Sequence, residues 1–73
     1  MNPNIAKVFI VHASDAVKDE ALNVCIASGE EDIFIDMDTV GDRMPDNDTP
    51  ENAELREIVE KANEVDAQYI HMY

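Results

Sequence analysis

The amino-acid sequence predicts a small three-layer α/β fold of order β-α-β-α-β, with a three-stranded parallel sheet of strand order 2-1-3. Apolar segments rich in β-branched residues alternate with two segments of helical periodicity. Both connections are long enough for right-handed crossovers between parallel strands. Residues 1–73 are expected to form a single domain with a small core.

The first strand is predicted over residues 5–12, where apolarity is nearly continuous, as in a strand buried on both faces. This strand is therefore placed at the centre of the sheet. A helix follows, with Ser14 or Asp15 as its N-cap and Gly29 as its left-handed stop. The face of this helix that we expect to be buried contains Val17, Ala21, Leu22, Val24, Cys25, Ile26 and Ser28.

The second strand is predicted over residues 33–37, at one edge of the sheet. Residues 38–49 are rich in Asp, Asn, Gly and Pro and are interpreted as a loop. The second helix begins at Thr49, Pro50 and Glu51, because the hydroxyl caps, proline suits the first helical position and the acid favours the positive end of the dipole. Its apolar residues recur every three or four positions from Leu55 to Val65.

The last strand is predicted over residues 67–73, at the other edge of the sheet. An unpaired edge that carries Tyr69 and Tyr73 favours a homodimer by sheet extension, or pairing with a strand of a partner. A frayed terminus in a monomer is the alternative.

Charge narrows the possible partners. The chain has 17 Asp and Glu against 5 Lys and Arg, for a formal net charge of −12. Surfaces that bind nucleic acid or anionic membranes use clusters of Lys and Arg, so a basic protein is the expected partner instead. Residues 8–11, the longest apolar run, are too short for a membrane span or signal peptide, and Cys25 has no disulfide partner. These features predict a cytoplasmic protein.

Several segments resemble bacterial TIR-like domains. The matching segments are residues 7–15 (first strand and loop), 33–36 (second strand), 41–45 (the following loop), and 54–59 with 66–70 (second helix and third strand). The resemblance implies a flavodoxin-like fold, of which this chain is the first half. It implies no NAD-cleaving activity, because the catalytic glutamate of that family follows the third strand. Residues 41–45 resemble the family's assembly loop, which implies a docking module or a truncated decoy.

Two acidic motifs are candidates for metal binding. Asp36 and Asp38 resemble the nucleophile motif of haloacid-dehalogenase-type phosphatases, in which two carboxylates hold Mg²⁺ and attack phosphate. A charged strand end is the alternative. An EF-hand frame that starts at Asp46 fails, because Pro50 occupies a ligand position and Glu51 the glycine position. We therefore predict no cofactor and no metal; weak Ca²⁺ binding by the loop acids Asp42, Asp46 and Asp48 is the alternative.

Two histidines and one cysteine are the other candidates for chemistry. His12 and His71 lie near the carboxyl ends of adjacent parallel strands, where α/β sites form, within reach of Ser14 or Asp36. Structural histidines with satisfied hydrogen bonds are the alternative. Cys25 is expected to be a buried, inert thiol. No complete catalytic set is present, so no enzymatic activity is predicted.

The sequence thus predicts a non-enzymatic protein-binding module. The leading hypothesis is an inhibitor of the kind that viruses or mobile elements encode, which presents its acidic loop and its second helix to a basic surface. One version of this hypothesis is a surface that normally binds nucleic acid, because a regular row of carboxylates can imitate the spacing of phosphates. That row in the second helix consists of Glu51, Glu54, Glu57, Glu60 and Glu64. A solvated acidic face is the alternative for that row. The expected contacts, with the tyrosines as apolar anchors, are Asp42, Arg43, Asp46, Asp48, Glu54, Glu57, Glu64, Tyr69 and Tyr73. The alternative functions are a TIR-like or nucleotide-sensing module that uses residues 12–15 and 41–45, and a Mg²⁺-dependent phosphatase-like site at Asp36 and Asp38.

Overall fold

A computed structural model describes residues 7–44 and 48–73 as a mixed sheet with helices. In chain order the elements are β1 (Val8–Val11), α1 (Asp15–Ala21), β2 (Ala27–Ser28), β3 (Ile33–Asp36), α2 (Val40–Arg43), α3 (Pro50–Glu64) and β4 (Tyr69–Met72). The four strands lie in the order β1-β4-β3-β2. β1 and β4 are parallel, and the other two pairs are antiparallel. The predicted three-stranded parallel sheet of order 2-1-3 is therefore wrong, although the first and last strands are parallel neighbours as predicted.

The first helix is shorter than the sequence predicts. Ser14 is its N-cap, as predicted, and the Ser14 Oγ accepts a hydrogen bond from a backbone N–H of the first turn at 3.3 Å. The helix ends at Ala21, well before Gly29. Leu22 and Ile26, which we expected to be buried, are each 50% exposed.

The short strand β2 accounts for the antiparallel part of the sheet. Residues Ala27–Ser28 pair with β3, and the Ile26 N–H donates to the Phe34 carbonyl at 2.8 Å. Gly29 lies in the connecting turn, where its N–H donates to the Asp32 carbonyl at 2.8 Å. The chain therefore enters β3 from a hairpin rather than from a helical crossover, which reverses the direction of β3.

The strand at the centre of the sheet is β4 rather than β1. Because β4 pairs with β1 on one side and with β3 on the other, the predicted edge that carries Tyr69 and Tyr73 does not exist. A homodimer by extension of that strand is excluded for the same reason. Within the described sheet β1 is an edge strand, and its Val8 and Ile10 side chains are exposed. β3, predicted at an edge, lies between β4 and β2.

The core lies between one face of the sheet, the covered face, and helices α1 and α3, which also pack against each other. The apolar periodicity predicted for α3 is confirmed at Leu55, Ile58 and Ala62, which are buried, whereas Val65 at the C-cap is 43% exposed. The main core residues from the sheet are Ile33, Ile35, Ile70 and Met72. In the ranges that the structure describes, no helix is long and apolar enough to cross a membrane.

Two threonines at helix N-caps differ in their hydrogen bonding. The Thr49 Oγ1 accepts the Asn52 N–H at 3.1 Å, whereas within the described residues the buried Thr39 Oγ1 has no hydrogen-bond partner. We expect Thr49→Ala to lower the free energy of unfolding by about 1 kcal/mol. Thr39→Val should leave it unchanged or raise it, because an unpaired buried hydroxyl is removed. Urea unfolding measures both effects, and equal losses in the two variants would contradict this assignment.

Candidate functional site

Alternation along the strands places a second set of side chains opposite the helices, on a surface that we name the open face. The open face consists of Val8, Ile10, His12, Ala27, Phe34, Asp36, Tyr69, His71 and Tyr73. Among the described residues, eight large hydrophobic side chains are exposed, and five of them lie on the open face. Exposed apolar side chains are therefore concentrated on one side of the molecule.

Aromatic and imidazole rings form a continuous row across the open face. The Phe34 and His71 rings stack with centroids 4.5 Å apart and planes at 21°. Tyr73 meets His71 edge-on at 6.4 Å, and on its other side it stacks with His12 at 5.2 Å. Such contacts between rings stabilise their relative orientation. The row therefore runs across the open face from Phe34 in β3 to His12 at the end of β1.

Besides its two tyrosine hydroxyls, the ionisable groups of this surface are carboxylates and imidazoles. Asp36 lies on the open face directly opposite Tyr69, and Asp32 lies at its border with its side chain 50% exposed. No lysine or arginine is among the described side chains of the open face. Aromatic faces and carboxylates both attract cations, so this surface favours positively charged groups.

The two histidines lie on either side of one tyrosine ring. Tyr73 separates the His12 and His71 rings. The His71 Nε2 lies 3.0 Å from the Asp32 Oδ1, rather than near Ser14 or Asp36 as we expected. The Ser14 hydroxyl caps α1. Each of these groups thus has a contact within the fold: His12 stacks on Tyr73, His71 contacts Asp32, and Ser14 caps α1.

The predicted phosphatase-like pair of aspartates forms a turn. The Asp36 Oδ1 accepts the backbone N–H of Asp38 at 2.9 Å, as in an Asx turn. In the described part of the chain, no group of three or more His, Cys, Asp or Glu side chains is placed to hold a metal ion. The Asp36 carboxylate therefore has a structural partner in this turn.

The predicted loop over residues 38–49 contains a short helix. Asp42 and Arg43 belong to α2, and the Arg43 Nη1 donates to the Cys25 carbonyl at 3.4 Å. Pro45 and Asp46 lie outside the described residues, so the predicted loop at 41–45 and the contact at Asp46 are described only in part. Cys25 lies beyond the end of α1 and is a partly buried free thiol.

The predicted acidic contacts and the tyrosines do not share a face. The acidic contacts that the structure describes are all exposed: Asp42, Asp48, Glu54, Glu57 and Glu64. Helix α3 packs on the covered face, whereas Tyr69 and Tyr73 lie on the open face. Glu57 pairs with Lys61 at 3.6 Å, as the spacing predicts. Glu54, Glu57 and Lys61 line a cavity of about 290 Å³ that reaches His12 at the end of β1.

Sequence reasoning misses Val8, Ile10 and Phe34 of this surface and Asp32 at its border. Val8 and Ile10 belong to a strand that the sequence predicts to be buried on both faces, and the sequence singles out neither Phe34 nor Asp32 as a contact. The alternation in β3 does place Phe34 and Asp36 on the same face. That this face is uncovered depends on the packing of both helices on the opposite side, for which the sequence contains no local signal.

Comparisons with other proteins assign no family to the chain. No protein-family model matches it, and neither the curated proteins nor the solved structures give a significant match. The resemblance to TIR-like domains stays a prediction. The functional proposal therefore depends on the chemistry of the open face.

Proposed function

We propose that this chain is an acidic, non-enzymatic protein-binding module whose open face docks on a basic protein surface. The observation that supports the proposal is the concentration of exposed apolar side chains on the open face, with Asp32 and Asp36 beside them. Contiguous exposed apolar surface with a polar rim is typical of interaction sites. Tyrosines such as Tyr69 and Tyr73 are frequent energetic anchors in such interfaces.

Net charge determines which partner fits this surface. At −12, the chain repels acidic surfaces and attracts basic ones over about 8–10 Å at physiological salt. The acids of α2 and α3 lie away from the open face, so in this proposal they accelerate association without making direct contacts. A basic surface that normally binds nucleic acid fits the same chemistry. Occupying such a surface makes the chain an inhibitor.

A matched pair of double variants tests whether the open face carries binding. Ile10→Ser with Tyr73→Ser changes side chains that are 63% and 51% exposed on the open face. We expect the immobilised wild-type chain to retain a basic protein from a bacterial lysate at physiological salt, and this variant to lose it. The physical reason is that truncation of apolar anchors at the centre of an interface costs about 2 kcal/mol or more each.

The control for this experiment is Leu22→Ser with Ile26→Ser. These two side chains are each 50% exposed, but they lie outside the open face. The control variant should retain the partner as well as the wild type does. Retention by both variants, or loss from both, would contradict the assignment of binding to the open face. Equal thermal midpoints for the variants would show that both remain folded.

A further inference from the structure

Each end of the open face pairs a tyrosine with a carboxylate. Asp36 is directly opposite Tyr69 in the antiparallel register, so their Cβ atoms lie about 4.5–5.5 Å apart. At the other end, Asp32 and Tyr73 line one cavity of about 450 Å³. Lys18 also lines this cavity, but its Nζ donates to the Glu31 carbonyl at 3.2 Å and lies 3.8 Å from an Asp15 carboxylate oxygen. Each pair therefore offers a negative charge beside an aromatic ring.

We infer that these two pairs bind arginine side chains of the partner in preference to lysine, an inference that rests on the proposed function. A guanidinium group is planar and weakly hydrated, and it stacks on an aromatic face while it donates hydrogen bonds to a carboxylate. A lysine ammonium is a compact, strongly hydrated charge that gains less from the ring. A tyrosine beside a carboxylate therefore discriminates between two side chains of equal charge.

Both carboxylates are held in place with one oxygen available. The Asp36 Oδ1 accepts the Asp38 N–H at 2.9 Å, and the Asp32 Oδ1 lies 3.0 Å from the His71 Nε2. Neither Oδ2 accepts a hydrogen bond from the residues that the structure describes. A carboxylate whose orientation is already fixed loses less conformational entropy when a ligand binds.

The spacing of the pairs indicates the shape of the bound segment. Tyr69 is the first residue of β4, and Tyr73 directly follows its last residue on the same face, four residues away, which corresponds to about 13 Å of extended chain. An extended chain repeats the same spacing between its own residues i and i+4. The inferred ligand is therefore an extended segment with arginines at i and i+4, which lies across the stack of His71 and Phe34.

The same observations disfavour two other occupants of the open face. Single-stranded nucleic acid stacks on aromatic rings, but its phosphates require a basic groove, and no lysine or arginine is among the described side chains of this face. A second copy of the chain would offer no described lysine or arginine on its own open face to pair with Asp32 and Asp36, and each copy carries a net charge of −12. An arginine-containing partner is the occupant that complements both the rings and the charges.

Two short peptides of identical sequence, except for Arg or Lys at positions i and i+4, test this inference on the full chain. Fluorescence anisotropy should show about tenfold tighter binding of the arginine peptide. Tyr69→Leu with Tyr73→Leu keeps apolar bulk but removes the aromatic faces, so it should abolish the preference. The Leu22→Ser with Ile26→Ser control should keep it.

The possible failures of this inference and of the proposed function are distinguishable. Equal affinities for the two peptides, or no binding of either, would overturn the arginine inference. The lysate experiment with the Ile10→Ser, Tyr73→Ser double variant tests the proposed function separately. If the wild-type chain binds oligothymidylate and the Ile10→Ser with Tyr73→Ser variant does not, the open face binds nucleic acid. That result would overturn both the arginine inference and the proposed function. If light scattering shows that the wild-type chain is a dimer and that this variant is a monomer, the open face binds a second copy of the chain. That result would also overturn the arginine inference.

Discussion

Replacing Ile70 by alanine should lower the free energy of unfolding by about 3 kcal/mol, because deletion of a buried isoleucine side chain leaves a cavity. Ile70 is fully buried in the central strand, opposite Phe9 on one side and Ile35 on the other. A domain of 73 residues is typically stable by about 4–11 kcal/mol. Ile70→Ala should therefore remove a large part of the stability, which urea unfolding followed by circular dichroism measures.

Ile10→Ala is the matched control for this prediction. It makes the same chemical change on the neighbouring strand, at a side chain that is 63% exposed on the open face. We expect a loss below about 1 kcal/mol, because little apolar area leaves the folded core. If Ile10→Ala cost as much as Ile70→Ala, β1 would be buried on both faces, as the sequence predicts, and the sheet order β1-β4-β3-β2 would be wrong.

The elements predicted correctly are those with strong local signals. Helix α3 begins where Thr49, Pro50 and Glu51 predict it, because the capping hydroxyl, the proline and the acid all favour a helix start within the same turn. Its buried positions follow the periodicity from Leu55 onward. The strand at 69–72 is likewise present within its predicted bounds. Each of these signals depends only on residues that are close together in the sequence.

The predicted position of β1 is wrong because apolar residues on a strand do not show whether a helix packs on each of its two faces. Val8 and Ile10 are as apolar as core residues, and a nearly continuous apolar strand is typical of burial on both faces. In the structure, α1 and α3 both pack on the other side, so this face of β1 is exposed. In our proposal the partner covers it, which would explain the apolar residues on both faces of β1.

The candidate site could be predicted only in part for a similar reason. Alternation along the last strand places Tyr69 and Tyr73 on one face, so this pair was found from the sequence alone. The contact between Asp32 and His71 requires the antiparallel pairing of β3 with β4. That pairing depends on the two-residue strand β2, which is too short to give a periodic signal, and Gly29 in the adjacent turn also suits a helix stop.

A second large effect is expected at Asn52, the buried polar side chain that joins α1 to α3. Its Nδ2 donates to the Glu20 Oε2 at 3.0 Å, and its Oδ1 accepts from the Arg56 Nε at 2.7 Å. Asn52→Asp replaces the donor by a carboxylate oxygen that faces another carboxylate at a site only 1% exposed. We expect a loss of about 2–3 kcal/mol at neutral pH, because a buried donor is lost and like charges approach.

Lowering the pH should reduce the loss of stability that Asn52→Asp causes. Burial and the Glu20 carboxylate raise the pKa of the introduced carboxyl in the folded state, whereas the Arg56 guanidinium beside its other oxygen lowers it. We expect the first two effects to prevail, so that this pKa lies above its value in the unfolded chain. The folded state of the variant therefore takes up a proton more readily, so its deficit relative to the wild type is largest at neutral pH and shrinks as the pH falls through that raised pKa. Urea unfolding of both proteins at several pH values measures this difference.

Gln68→Glu controls for added charge, since it makes the same amide-to-carboxylate change at an exposed residue before β4. Its effect should stay within about 0.5 kcal/mol at every pH. A loss at Gln68 equal to that at Asn52 would mean that net charge, rather than the contact with Glu20, limits stability. A pH-independent loss at Asn52 would instead mean that the two carboxyls separate in the variant, so that the contact between α1 and α3 at Glu20 adapts to the substitution.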